Sequence, residues 1–258
     1  MRYRGMGAAF AAVTDHDHVT DLTGVRTDFP EMVLLSGFEH SGGENLLFIG
    51  EDVPPLHAQS LSMAMASSDG LLTIACHPRP RPEDDHWSLE KLRRLPRFPD
   101  GIEIYNGHYG VPLMASRGCV PKYTPFWDEL LSAGIKVWGF ANDDSHDPPD
   151  FDNAWNMVNV GSNTGSEIIA SAKRGRFYAT TGLIAREIKG SAGEITVKFA
   201  RKCTGRFVGP GGQVLSEAID TVFSHSITDE AYIRFEATGS DGELFLQPLF
   251  QSGVESAL

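Results

Sequence analysis

Seven short runs of apolar residues recur at 8–13, 32–35, 46–49, 71–75, 101–104, 136–139 and 157–160, and they limit what the chain can become. Runs without polar alternation suit strands covered on both faces, as in a parallel sheet. The segments between them read as helices at 56–67, 88–95, 125–133 and 167–174. Ser88 caps the second, which stops before Pro96. Pro125 opens the third and Gly134 follows it, while Thr164-Gly165-Ser166-Glu167 is a capping-box pattern ahead of a stop at Gly175. Such alternation predicts βα units, and the length favours a barrel over an open sheet.

After about residue 185 the texture changes. "EITVKFARK", "TVFSHSI", "AYIRFEATG" and "ELFLQPLFQ" alternate or cluster β-formers between Gly, Asp and Ser turns. The expected organisation is an α/β barrel over 1–184 and an antiparallel β appendage of four to six strands over 185–258, with 252–258 frayed. At 258 residues and 41% hydrophobic, the chain can bury such a core. It contains no run of 18 uncharged apolar residues, so no membrane span is expected. "MRYRGMGAAFAAV" superficially resembles a signal peptide but leads straight into charged residues, and is read as strand.

A net charge of −12 argues against nucleic acid as a partner. A small anionic substrate stays compatible, because bound cations reverse the local field. Cys76, Cys119 and Cys203 form neither a disulfide framework nor a zinc ribbon, and fit a reducing, cytoplasmic setting.

The functional signal lies just past the apolar runs. Asp15-His16 comes after the first, Glu39-His40 after the second and His77 after the fourth. The fifth contains Glu103 and leads to Asn106, and the sixth leads to Asp143-Asp144-Ser145-His146. In a parallel barrel, residues past the carboxyl ends of the strands converge on one rim. Each element alone is more often a turn or cap. Together they predict a His/Asp/Glu metal site suited to Zn, Mn or Fe rather than Ca or Mg. His57, His86 and His225 lie in connecting segments or the β-rich region and are expected to be structural or solvated.

With these motifs in order, the sequence resembles the PHP (polymerase and histidinol phosphatase) superfamily. "AVTDHD", "GFEHS", "CHPRP", "EIYNG" and "DDSH" are similar to its later motifs, over residues 5 to about 182. "AYIRFEATGSDGELFLQPL" resembles the carbaryl-hydrolase-like (CehA/McbA-type) branch. The resemblance implies a distorted (β/α)7 barrel with a centre of two or three divalent transition metal ions. His16 would be a ligand, with Asp15 ligating or orienting it. Glu39 would bridge two cations, His77 would bind the second, and Asp144 and His146 would close the site. Glu103 and Asn106 would stand on the rim, and Asp144 rather than Asp143 fits the D-x-H register.

The family's opening H-x-H motif has no counterpart before Asp15, which implies a barrel lacking its first strand. One cation would then be held weakly, and exposed edges would favour poor stability or a homodimer. The expected activity is metal-dependent hydrolysis, most commonly of phosphoesters in this family, with two cations about 4 Å apart activating a water. Amide, carbamate or ester hydrolysis, or a non-catalytic binding module, are the alternatives. A ligand-binding role for the β-rich region ranks last. His108 or His18 would protonate the leaving group. Arg79, just past His77, would clamp an anionic oxygen unless it is a solvated loop residue.

Overall fold

The apolar runs become strands, but they do not pair as a barrel. The computed structural model describes residues 2–191, 194–226 and 228–250. The expected fraying of 252–258 lies outside the described residues.

In chain order the strands are β1 (Phe10–Val13), β2 (Val33–His40), β3 (Leu46–Gly50), β4 (Leu72–Ala75), β5 (Gly101–Asn106), β6 (Trp138–Asn142) and β7 (Trp155–Val158). They continue with β8 (Phe177–Thr180), β9 (Ala185–Ser191), β10 (Glu194–Val208), β11 (Val214–Ser226), β12 (Tyr232–Gly239), β13 (Gly242–Leu246) and β14 (Leu249–Phe250). The helices are α1 (Arg2–Gly5), α2 (Thr23–Asp28), α3 (Leu61–Ala66), α4 (Leu89–Arg93), α5 (Gly107–Gly110), α6 (Pro112–Ser116), α7 (Thr124–Ser132) and α8 (Gly165–Lys173). No described helix is long and apolar enough to cross a membrane.

Two curled sheets replace the expected (β/α)7 barrel. The first runs β1-β2-β3-β4-β5-β6, and the second has the path β11-β10-β12-β13-β8-β7, with β9 on β10 and β14 on β12. In the first sheet only β1–β2, β4–β5 and β5–β6 are parallel, while β2–β3 and β3–β4 are antiparallel. The reason is geometric. Only positions 41–45 separate β2 from β3, too few for a parallel crossover, which needs a dozen or more residues. A hairpin therefore stands where a βα unit was expected. The apolar runs were nonetheless informative about burial. Phe38, Phe48, Met65, Trp87 and Trp127 share one core cluster, and Leu35, Leu47, Ile74, Phe140 and Ile168 share another.

The first sheet stops at β6 because side chains occupy its outer edge. Gly139 N–H donates to Gln247 Oε1 and Gln247 Nε2 donates to Gly139 O, both at 2.8 Å. Ala141 is held the same way by Asn156, through N–H to Oδ1 at 3.1 Å and Nδ2 to O at 2.7 Å. Two carboxamides thus imitate a neighbouring strand, and satisfy groups that would otherwise be buried unpaired.

The C-terminal strands are joined to the rest. β8 pairs β13 and β7 pairs β8, so residue 184 falls within the span of the second sheet. Tyr232 and Phe245 enter the same core cluster as Trp87 and Trp127. From β12, Arg234 reaches Asp128 on α7 through Nε to Oδ1 at 2.7 Å and Nη2 to Oδ2 at 2.6 Å. Its Nη1 donates to Glu236 Oε2 at 2.6 Å, and Tyr232 Oη donates to Asp128 Oδ1 at 3.1 Å.

Candidate functional site

The segments that follow β1, β4, β5 and β6 and the loop between β2 and β3 surround a cavity of about 370 Å³. Its lining includes His16, Asn45, His77, His86, His108, Tyr109, Asp144 and His146, with Arg81 and Asp84 on one wall. Four of the residues anticipated from the sequence as ligands therefore meet, although the sheet is not a closed barrel.

Glu39 lies beneath them, buried on β2. Its Oε1 is 3.3 Å from His77 Nε2, its Oε2 is 3.9 Å from His16 Nδ1, and Asn45 Nδ2 donates to Oε1. Burial alone would raise its pKa, but His77, His16 and Asn45 outweigh burial and hold it below the ordinary carboxylate range. Burial works against a charged His77, yet Glu39, Glu103 and Asp144 push its pKa up to about 9.

Polar contacts at Nδ1 orient three imidazoles that line the cavity. His146 Nδ1 donates to the Asp144 carbonyl at 2.8 Å, so its Nε2 keeps a lone pair. His16 Nδ1 is 2.6 Å from Ser41 Oγ, whose own hydroxyl donates to the Glu39 carbonyl. That short contact engages His16 Nδ1, and no hydrogen bond holds its Nε2 among the described residues. His108 Nδ1 is 3.1 Å from Asp150 Oδ1, an ion-pair contact rather than an aligned hydrogen bond. A lone pair facing that carboxylate would be repelled, so Nδ1 carries the proton. The His16 and His146 ring centroids are 6.0 Å apart, and those of His146 and His108 are 5.1 Å apart. An imidazole oriented through Nδ1 by a carboxylate or carbonyl is the usual preparation for metal ligation through Nε2.

Two candidate ligands are held in left-handed backbone, His77 at φ 26° and Asp144 at φ 50°. Such conformations cost non-glycine residues of order 1–3 kcal/mol and persist only where the surroundings impose them.

Other anticipated residues stand apart from the cavity. Asp15 accepts from Thr20 Oγ1 and does not line it. His18 does not line it either. Arg79 is drawn away, 4.6 Å above the Phe126 ring and paired with Glu129 at 3.1 Å and Asp85 at 3.4 Å. Arg81 takes the wall position instead. Glu103 is buried at 2% exposure rather than on a rim, and burial raises its pKa to about 7. Asn106 is also buried, donating to Glu103 and Asp144 and capping α5 through Tyr109 N–H. Asp143 accepts three backbone N–H groups, from Asp152, Asn153 and Ala154, and shapes the loop.

Asp150 and His86 were not anticipated. Asp150 Oδ2 accepts from the backbone of His146 and Asp147, closing a capping box across Pro148 and Pro149. "DPPD" carries that signal in the sequence. Ligand atoms of His108, His146 and Asp150 lie within 4.8 Å of one another and could hold a metal ion. His86 Nε2 accepts Asn45 N–H at 2.9 Å, which leaves Nδ1–H as a donor. Burial and His77 lower the His86 pKa and keep it neutral. No family model, no curated protein and no solved structure matches the chain.

Proposed function

We propose that the protein is a metal-dependent hydrolase whose centre is built by His16, His146 and His108 with Glu39, His77 and Asp144. The observation that carries this reading is the row of three imidazoles, each with Nδ1 against a polar partner and Nε2 left to offer a lone pair to a cation. The chemistry of the set fits a transition metal: imidazole nitrogens beside carboxylates, and a buried His77 Nδ1 with no hydrogen-bond partner among the described residues. Divalent Zn, Mn or Fe bound there would supply Lewis acidity and acidify a water.

The chain's own residues do the rest. Asp150 lies beside His108 Nδ1 and orients that imidazole as a ligand. Arg81 and the His86 Nδ1–H give the cavity two donors for substrate oxygens. The similarity to PHP motifs makes a phosphoester the first substrate class, with a carbamate, amide or ester as its competitor.

The test is reconstitution with Zn(II), Mn(II) or Fe(II), and then rates on aryl phosphoester and aryl carbamate panels. Metal-dependent turnover is expected, with His16→Ala and His146→Ala losing more than about 100-fold, because removing a ligand exceeds the 10–100-fold effect of removing its supporting contact. Asp150→Asn is expected to cost about 10–100-fold as such a supporting contact. Failure of the wild-type chain to retain any of the three metals after dialysis would overturn the reading.

A further inference from the structure

We propose that Glu103 is the positioning residue of this site: its carboxylate fixes the left-handed backbone of His77 directly and holds the Asp144 carboxylate through Asn106. Its effect on metal affinity rests on the metal centre proposed for the cavity, while its effect on the backbone does not.

Three donors from three strand ends converge on the two Glu103 oxygens. His77 N–H reaches Oε2 at 2.6 Å from beyond β4. Asn106 Nδ2 reaches the same oxygen at 3.0 Å from the end of β5, and also reaches Asp144 Oδ2 at 3.1 Å. Asn142 Nδ2 reaches Oε1 at 2.8 Å from the end of β6. A register irregularity between β5 and β6 falls between Glu103 and Tyr105, where the strand departs from regular pairing. Glu103 itself does not line the cavity, so it acts through its neighbours.

The pattern demands a carboxylate and not merely a polar side chain of the same shape. All the partners are donors. An amide at 103 turns its NH2 toward either Asn142 or the His77 and Asn106 pair, and with Asn142 Oδ1 taken by Asn156 Nδ2, donor meets donor both ways. Leaving a buried donor without an acceptor carries the full desolvation penalty, and in the orientation that turns the NH2 onto that pair the loss falls on strained His77.

The same reasoning specifies a rescue. Asn142→Asp turns the donor opposite Oε1 into an acceptor and keeps Oδ1, which receives Asn156 Nδ2 at 3.3 Å. Combined with Glu103→Gln, it restores every pairing and leaves the net charge unchanged.

The experiment measures two quantities for wild type, E103Q and E103Q/N142D. One is hydrogen exchange at the His77 amide in metal-free protein, and the other is Zn(II) and Mn(II) affinity by calorimetry. E103Q is expected to accelerate His77 exchange and to weaken metal binding roughly 10–100-fold, as loss of a ligand's outer support does. The double variant is expected to return both toward wild type. Unchanged exchange and affinity in E103Q would overturn the proposal. So would a double variant that melts like wild type but exchanges and binds like E103Q. If E103Q alone does not fold, the double variant decides: folding with restored His77 protection supports the proposal, and anything less overturns it. If wild type binds no metal, the hydrolase reading falls, but His77 exchange still decides the positioning role.

Discussion

Arg234→Met is expected to cost the protein about 3–5 kcal/mol, the range for removing one partner of a buried ion pair. Arg234 is 2% exposed, and its partners Asp128 and Glu236 are 6% and 4% exposed, so water cannot replace the lost cation. Glu236 keeps Arg206 beside it, but Asp128 keeps only the Tyr232 hydroxyl among the described residues, so most of the cost falls on α7. Urea denaturation measures it, and a loss below about 1 kcal/mol would place the network with surface pairs. Replacing Asp128, Arg234 and Glu236 together by apolar residues is expected to recover much of the loss, because no charge is then left uncompensated.

The same network sets a pH dependence. Burial would raise the Glu236 pKa, but Arg234, with Lys122 and Arg206, overrides burial and holds it below its ordinary 4.5. A carboxyl whose folded pKa is depressed contributes stability above its unfolded pKa and loses it as pH falls through the folded value. Wild-type stability should therefore fall below about pH 4.5, and that slope should flatten in Arg234→Met.

Gln247→Leu is expected to rank second. Gln247 is 1% exposed, and it satisfies both backbone groups of Gly139. A leucine there orphans one buried donor and one buried acceptor, at about 1–3 kcal/mol each. Thermal melts should show a loss of about 2–6 kcal/mol on that basis. A variant within about 0.5 kcal/mol of wild type, the range of an ordinary surface change, would mean that water enters the edge of β6. Asn156→Leu should cost less, because Asn156 is only partly buried.

The positions of the strands were legible because an apolar run reports coverage on two faces. Their direction was not, because coverage by α8 on one side and β12–β13 residues on the other looks the same as coverage in a barrel. The five positions between β2 and β3 held the missing information. The expected helix over 56–67 divides into a short 3₁₀ turn and α3, because Ser60 caps the second piece by accepting Met63 N–H. Within the site, His16, Glu39, His77, Asp144 and His146 were visible as polar residues directly after apolar runs. His86 sits in a loop rich in proline and acid, where no periodicity places it. Arg79 and Arg81 are two positions apart, and only the Phe126 ring and Glu129 decide that the first leaves the cavity. Glu103 was visible as chemistry but not as depth, since its three donors come from separate strands.

The carboxamide caps on β6 also set a timetable for biosynthesis. Gln247 comes 108 positions after Gly139. At 5–20 residues per second, a ribosome needs about 5–20 s to add that length. Through that interval the nascent chain carries an open strand edge beside the half-built cup, a template for pairing with other chains. Chaperone dependence during synthesis, rather than stability once folded, is where this architecture should be most vulnerable.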